Sequence, residues 1–150
     1  MADIKTPEER SQNMAAIKGK DTKPEVYLRK LLFSRGYRYR KNYSIITGHP
    51  DIWLPKYHTA IFVHGCYWHR HAGCKYAYTP KSNTDFWLRK FGENVQRDKI
   101  IASKLSSQGI KCLIVWECTI NNMRKNNDVS SFFLSKIESF VLDGSLYQEY

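Results

Sequence analysis

The sequence predicts an α/β domain, a mixed central β-sheet with helices packed on it, and three observations carry that prediction. Two short runs, Ile61-Phe62-Val63 and Lys111 to Trp116, have the dense apolar and β-branched character of buried strands. Stretches with apolar residues at helical spacing are interleaved with the strand-like runs, the order expected of an α/β domain. At 150 residues the chain fits one domain, 1–150, large enough to bury about 68–70% of its unfolded surface.

Residues 1–20 are polar apart from an island at Met14, Ala15, Ala16 and Ile17, set among Arg10, Lys18 and Lys20. They form either a solvated terminus or a basic arm that orders on DNA. Thr22-Lys23-Pro24-Glu25 fits a capping box, with the Thr22 hydroxyl on the Glu25 amide and the Glu25 carboxylate back on the Thr22 amide. The helix it opens has Tyr27, Leu28, Leu31 and Leu32 on its core face and stops at Gly36. Tyr37 to Tyr43 alternates as a half-exposed strand does. A turn at Thr47-Gly48-His49-Pro50 leads to a second strand from Asp51 to Leu54, ended by Pro55, and Thr59 to His64 is the third.

Lys75 to Asn83 is a tyrosine-rich loop, followed by a helix from Thr84 to Gln108. Its apolar positions are Phe86, Trp87, Phe91, Val95, Ile100, Ile101 and Leu105, and its polar side carries Arg89, Lys90, Arg97, Lys99 and Lys104, a face suited to phosphates. The strand Lys111 to Trp116 delivers Cys118 at its far end. A helix over 129–142 is expected last, with Phe132, Phe133, Ile137, Phe140 and Val141 as core contacts and a mobile tail after it.

Lys and Arg outnumber Asp and Glu by 24 to 14, a net charge of +10 that favours a polyanion such as nucleic acid. The alternative is a basic protein with no such partner. No apolar run approaches the roughly 18 residues of a membrane span, and the N-terminus has no signal-peptide core. The expectation is a cytoplasmic protein without a membrane, whose four cysteines are thiols or metal ligands rather than disulfides.

The stretch Ile61 to Cys74 gathers three histidines and two cysteines, a density of soft donors that packing does not require and a metal site does. Cys66, His69, His71 and Cys74 form a complete local set. The single residue between His69 and His71 crowds that loop, so a remote ligand is the preferred version. Cys118 is the candidate, because Cys66 and Cys118 each follow a core strand and adjacent parallel strands would bring them together. Cys112 is read as a buried thiol. Three Cys and one His leave no open coordination position, so the zinc is structural. His64 and His69 are then free for general-base work beside an acid such as Asp51, or to orient the zinc ligands. Tyr67, Trp68 and Trp87, flanked by ligands and basic residues, are rings suited to stacking on or wedging between bases.

Together these residues resemble the very short patch repair (Vsr) endonucleases, bacterial enzymes that nick T·G mismatches. The resemblance runs from Ser11 to Cys118. It rests on Asn13-Met14, Asp21-Thr22 leading to Glu25, Pro50-Asp51, His64-Gly65-Cys66-Tyr67-Trp68-His69, Phe86-Trp87, Gly92-x-Asn94-Val95-x-Arg97-Asp98 and Val115-Trp116-Glu117-Cys118. It implies a restriction-endonuclease-like core with a variant PD-(D/E)xK site. Asp51 and the Val63 carbonyl would then bind magnesium, with His69 as general base and His64 and Glu25 supporting the metal-water and phosphate arrangement. The zinc set carries over as Cys66, His71, Cys74 and Cys118.

By the same resemblance Tyr67, Trp68 and Trp87 form the wedge, Met14 presses from the minor groove, and Lys90 and Asn94 read the mispair. The implied reaction is a single-strand nick 5′ of the mispaired thymine left by 5-methylcytosine deamination. The implied partners are duplex DNA and mismatch-repair proteins, for a monomer in the bacterial cytoplasm associated with the nucleoid when on DNA. The competing expectations are a restriction-type nuclease of the same fold and a zinc-stabilised DNA-binding module without catalysis.

Overall fold

The structure, a computed structural model, describes residues 21–150; the expected N-terminal arm, Met14 included, lies outside them. Helix α1 (Lys23–Ser34) begins with the Thr22 hydroxyl accepting from the Glu25 amide. The reciprocal half of the box is displaced by one residue: the Glu25 carboxylate accepts from the amide of Asp21 at 2.7 Å, and Asp21 has a left-handed backbone, φ 56°. Gly36, at φ 92°, ends the helix in a Schellman arrangement, with its own amide on the Phe33 carbonyl and that of Tyr37 on Leu32. That closure takes Tyr37 out of the predicted strand, and only β1 (Arg40–Lys41) remains of Tyr37 to Tyr43.

The other elements are β2 (Ile52–Leu54), a 3-10 turn (Pro55–Tyr57), β3 (Thr59–His64), α2 (Thr84–Ser107), β4 (Lys111–Trp116), α3 (Glu117–Lys125), α4 (Asn127–Leu142) and β5 (Tyr147–Glu149). The sheet order is β1-β2-β3-β4-β5. Its first three strands are antiparallel and its last three parallel, so the sheet is mixed, as expected. Each parallel step is bridged by helix, α2 between β3 and β4 and the α3–α4 pair between β4 and β5, because parallel neighbours need a long crossover. β3 and β4 pair over six residues each, from Thr59 opposite Lys111 to His64 opposite Trp116.

All six residues of β4 are buried because both faces of the sheet are covered. On one face Ile61, Leu113 and Val115 pack with Leu28 and Leu32 of α1, Ile120 and Met123 of α3, and Ile137, Phe140 and Val141 of α4. On the other Ala60, Phe62, Ile114 and Trp116 pack with Leu105 of α2. Only Phe91 and Leu105 of α2 are fully buried, while Phe86 and Ile100 are 55% and 45% exposed. Helix α2 therefore lies on the sheet by a narrow stripe and gives most of its surface to solvent.

Besides β1, three elements differ from the sequence reading. Helix α3 follows β4 without a break, and α4 begins at Asn127, whose predecessor Asn126 caps the amides of Asp128 and Val129. The tail expected to be mobile is β5, paired parallel with β4 and continued by the Tyr150 amide on the Ile114 carbonyl. Lys111, the one charged residue of β4, turns its ammonium onto the last carbonyls of α4, those of Phe140 and Val141 (2.9 Å to the latter), and onto that of Asp143 at 2.6 Å. A cation at a helix C-terminus meets both the dipole and the orphan carbonyls.

Candidate active site and metal cluster

At the ends of β2 and β3 a cleft of about 250 Å³ brings together Glu25, Asp51, Val63, His64, His69 and Asp98. Asp51 precedes β2, and its Oδ2 accepts from the Val63 amide at 2.7 Å. The N–H and C=O of one strand residue leave by the same edge, so the Val63 carbonyl lies on the side of Asp51. The Asp51 carboxylate and this carbonyl are hard oxygen donors of the kind that magnesium takes. Burial, with Glu25 adding to it, raises the Asp51 carboxyl from 3.8 to about 6 against the lowering hydrogen bond from Val63. A buried acid so raised favours a cation beside it.

The cation already nearby is spent elsewhere. Arg29 of α1 donates to Asp21 at 2.7 Å, Glu25 at 3.2 Å, Asn42 at 3.2 Å and the backbone carbonyl of Asp51 at 3.1 Å. It positions Asp51 through the main chain and leaves the carboxylate free. Sequence reading missed this role; its signal was the spacing of Glu25 and Arg29, one turn apart on one helix.

His64 ends β3 and is buried. Burial, then the neighbouring His69, pushes its imidazole down to about 3, so it is neutral at physiological pH. Its ring is stacked on that of His69 at 3.9 Å and 7°. The Nδ1 of His69 meets Oδ2 of Asp98 at 2.7 Å. A carboxylate there accepts the Nδ1 proton and leaves Nε2 with a lone pair, the form a general base needs. In the sequence Asp98 stands out only as the last residue of the Gly92-x-Asn94-Val95-x-Arg97-Asp98 motif, which does not reveal this role. It stands one helical turn from Asn94, whose amide donates to the Trp68 carbonyl at 3.2 Å, so α2 holds the consecutive residues Trp68 and His69 from one face.

Cys66, His71, Cys74 and Cys118 converge, with one donor atom of each within 4.8 Å of the others. The parallel pairing of β3 and β4 is the cause, because it sets the residues following His64 beside those following Trp116. His69 faces Asp98 instead, so the remote-ligand version of the cluster is the one that forms. The Cys118 sulfur is 3.4 Å from Nδ1 of His71. Burial pushes the Cys66 thiol up to about 12 and that of Cys118 upward too, as for thiols gathered without a positive partner. Three thiols and an imidazole at this spacing suit tetrahedral zinc. Cys112 is buried within β4, as a packing thiol should be.

Tyr67, Trp68 and Trp87 meet around Phe91: Trp68 lies 6.0 Å from Trp87, and Tyr67 and Trp87 lie 5.2 Å and 5.8 Å from Phe91. Arg70 braces the loop beneath them, its guanidinium 3.9 Å from the Phe91 ring and donating to the carbonyls of Tyr67, Ala77 and Tyr78. Tyr67, Trp68 and Trp87 remain partly exposed, and Arg89, Lys90, Arg97, Lys99 and Lys104 of α2 are exposed. Among the described residues, no helix is long and apolar enough to cross a membrane.

A family model described as DNA mismatch endonuclease Vsr matches residues 2–75. The chain is 49% identical over 122 residues to the Type II nicking enzyme V.NmeAIP of Neisseria meningitidis, covering 81% of this chain and 86% of that protein. It is 41% identical over 128 residues to the DNA mismatch endonuclease Vsr of Escherichia coli, covering 85% and 81%. With the Type II nicking enzyme V.XorIIP of Xanthomonas oryzae the identity is 38% over 123 residues, covering 82% and 90%.

Proposed function

The chain belongs to the Vsr family of DNA mismatch endonucleases, and from that membership and the geometry of its cleft we propose that it is a magnesium-dependent endonuclease. It nicks duplex DNA on one strand, 5′ of the mispaired thymine, at T·G mismatches left by 5-methylcytosine deamination. The observation that carries the reading is the joining, in one cleft, of a metal-ready acid at Asp51 with a base at His69 already polarised by Asp98. A neighbouring surface of exposed cations and rings suits a phosphate backbone and an opened base step.

In this reading His69 Nε2 takes a proton from the attacking water, and Asp98 holds the ring and stabilises the imidazolium that results. Neutral His64 supports the water and phosphate arrangement without adding charge, and Glu25 with Arg29 fixes the position of Asp51. Magnesium held by Asp51 and the Val63 carbonyl would supply stabilisation of the charge that develops on the phosphate. Tyr67, Trp68 and Trp87 enter beside the mispair, where weaker stacking lowers the cost of insertion, and selectivity follows from that difference. Lys90 reads the mispair with Asn94, whose Oδ1 remains to accept while its amide holds Trp68.

Zinc at Cys66, His71, Cys74 and Cys118 has a structural role, and the core is of the restriction-endonuclease type. We place the protein in the bacterial cytoplasm as a monomer, with Met14 of the arm on the minor-groove side and mismatch-repair proteins as further partners.

The test is strand-specific nicking of two duplexes that differ only in a T·G or T·A pair, with magnesium and with Asp51→Ala as control. Nicking of the thymine strand of the T·G duplex alone, abolished in the variant, is the expected result. Double-strand cutting of the matched duplex would replace the reading with a restriction-type nuclease. Binding without cutting in several sequence contexts would leave a DNA-binding module.

A further inference from the structure

Between the cysteine-histidine cluster and the hydrolytic cleft stands Trp116, the final residue of β4 and the register partner of His64. One face of its indole is stacked on His71 at 4.2 Å and 7°, and His64 meets it edge-on at 5.3 Å and 73°. His64 is stacked in turn on His69, and His69 is bonded to Asp98. The rings of His71, Trp116, His64 and His69 thus form an unbroken file from a cluster ligand to the proposed base. The file is pinned at one end by the cluster and at the other by Asp98.

The indole of Trp116, a residue only 7% exposed, has a single polar atom, Nε1. That N–H donates to Oε1 of Glu149 in β5 at 2.8 Å. The other Glu149 oxygen accepts from the Tyr147 hydroxyl at 2.7 Å, and the Tyr150 carbonyl accepts from the Trp116 amide at 2.9 Å. Ring and backbone of Trp116 are therefore both held by the 147–150 segment, which contributes no group to the cluster and none to the 250 Å³ cleft. Without Glu149 the indole keeps its packing and loses the contact that fixes its rotation. A buried N–H left unpaired is costly enough to turn the ring toward another acceptor. A turned indole would no longer present a flat face to His71 and an edge to His64.

We propose that Glu149 and Trp116 are positioning residues, through which strand β5 holds the orientation of His64 and His69 and ties it to the order of the cysteine-histidine cluster. Neither lines the cleft that holds Asp51; both border an adjoining cavity of about 450 Å³ with His64, His69 and Asp98, and both act through His64. The kinetic part of the inference rests on the nicking reaction proposed above, and the structural part does not.

The experiment compares wild type with Glu149→Ala, Glu149→Gln and Trp116→Phe, each loaded with zinc, by two readouts. The first is the NMR spectrum of the histidine side chains. The resonances of His64 and His71 should move in Glu149→Ala and Trp116→Phe, while those of His58, packed on Trp53, stay in place. Glu149→Gln, which retains an acceptor oxygen, should leave all of them near wild type. The second is nicking of the T·G duplex. Glu149→Ala should lower kcat about tenfold, with little change in KM and in bound zinc, because misplacement of a catalytic group acts on the chemical step.

Unmoved His64 and His71 resonances in both Glu149→Ala and Trp116→Phe would overturn the inference, as would a loss confined to KM. Moved resonances in a protein whose wild type nicks nothing would sustain the positioning and reject the proposed reaction.

Discussion

The raised carboxyl of Asp51 makes the metal-free protein sensitive to pH in a direction opposite to that of an ordinary paired aspartate. Its value moves from 3.8 in an exposed setting to about 6 in the fold. Between those values the folded chain binds more protons than the unfolded one, so stability falls as pH rises. The contribution is absent below the lower value and complete above the upper. Raising the carboxyl from 3.8 to about 6 by burial, at about 1.4 kcal/mol per pH unit, sets the cost of the ionised carboxylate near 3 kcal/mol before local relaxation and water reduce it.

Asp51→Asn removes the charge and keeps an oxygen to accept from the Val63 amide. The variant should exceed wild type by about 1–3 kcal/mol at pH 7.5 in magnesium-free buffer, or about 3–9 °C in Tm for a domain of this size. The gap should close by about pH 4. Thermal unfolding followed by circular dichroism from pH 4 to pH 8 measures it. Added magnesium should raise the Tm of wild type and not of the variant. A variant less stable than wild type at pH 7.5, or a gap that does not change with pH, would refute the reasoning.

Three further outcomes follow from other parts of the molecule. Asp98→Asn should lower kcat about a hundredfold or more with KM for the duplex nearly unchanged, since the amide no longer favours the Nδ1-protonated tautomer of His69; kcat against pH under saturating DNA checks it. Cys118→Ser should reduce bound zinc below one per chain and lower Tm, read by a chromogenic zinc assay beside thermal unfolding, because Cys118 is the member of the proposed zinc cluster contributed from beyond β4. Gly48→Ala should destabilise by about 1–3 kcal/mol in chemical denaturation, because Gly48 sits at φ 81° and an added Cβ would stand 2.6 Å from Ile101 of α2.

Much of the architecture was readable where local chemistry and burial agree. The Thr22 cap and the Gly36 stop follow from side-chain chemistry alone, and the apolar runs of β3 and β4 are long enough to mark strands covered on both sides. From those two strands the meeting of Cys66 and Cys118 could be anticipated. The strand expected from Tyr37 to Tyr43 shrank because its first amide was already committed to the helix end, a competition that alternation does not reveal. Helix α3 hid behind a polar composition in which Thr119, Ile120 and Met123 supply the buried side. Strand β5 has three exposed residues, so its place depends on the free edge of β4 rather than on a pattern of its own. Asp98 was hidden differently: on a helix open to solvent, an acid that orients a histidine has the same spacing as one that faces water.

The ammonium of Lys111, ringed by main-chain oxygens at the end of α4, occupies the kind of setting in which many proteins bind a dissolved cation. Here the charge is covalently attached to the strand it serves. Its local concentration is fixed by the fold, and neither dilution nor a chelator can empty the position. The proposed zinc and magnesium sites obey mass action and fill according to supply. The junction of β4, α4 and the turn into β5 is thereby independent of the ions on which the chemistry at the opposite ends of the strands would depend.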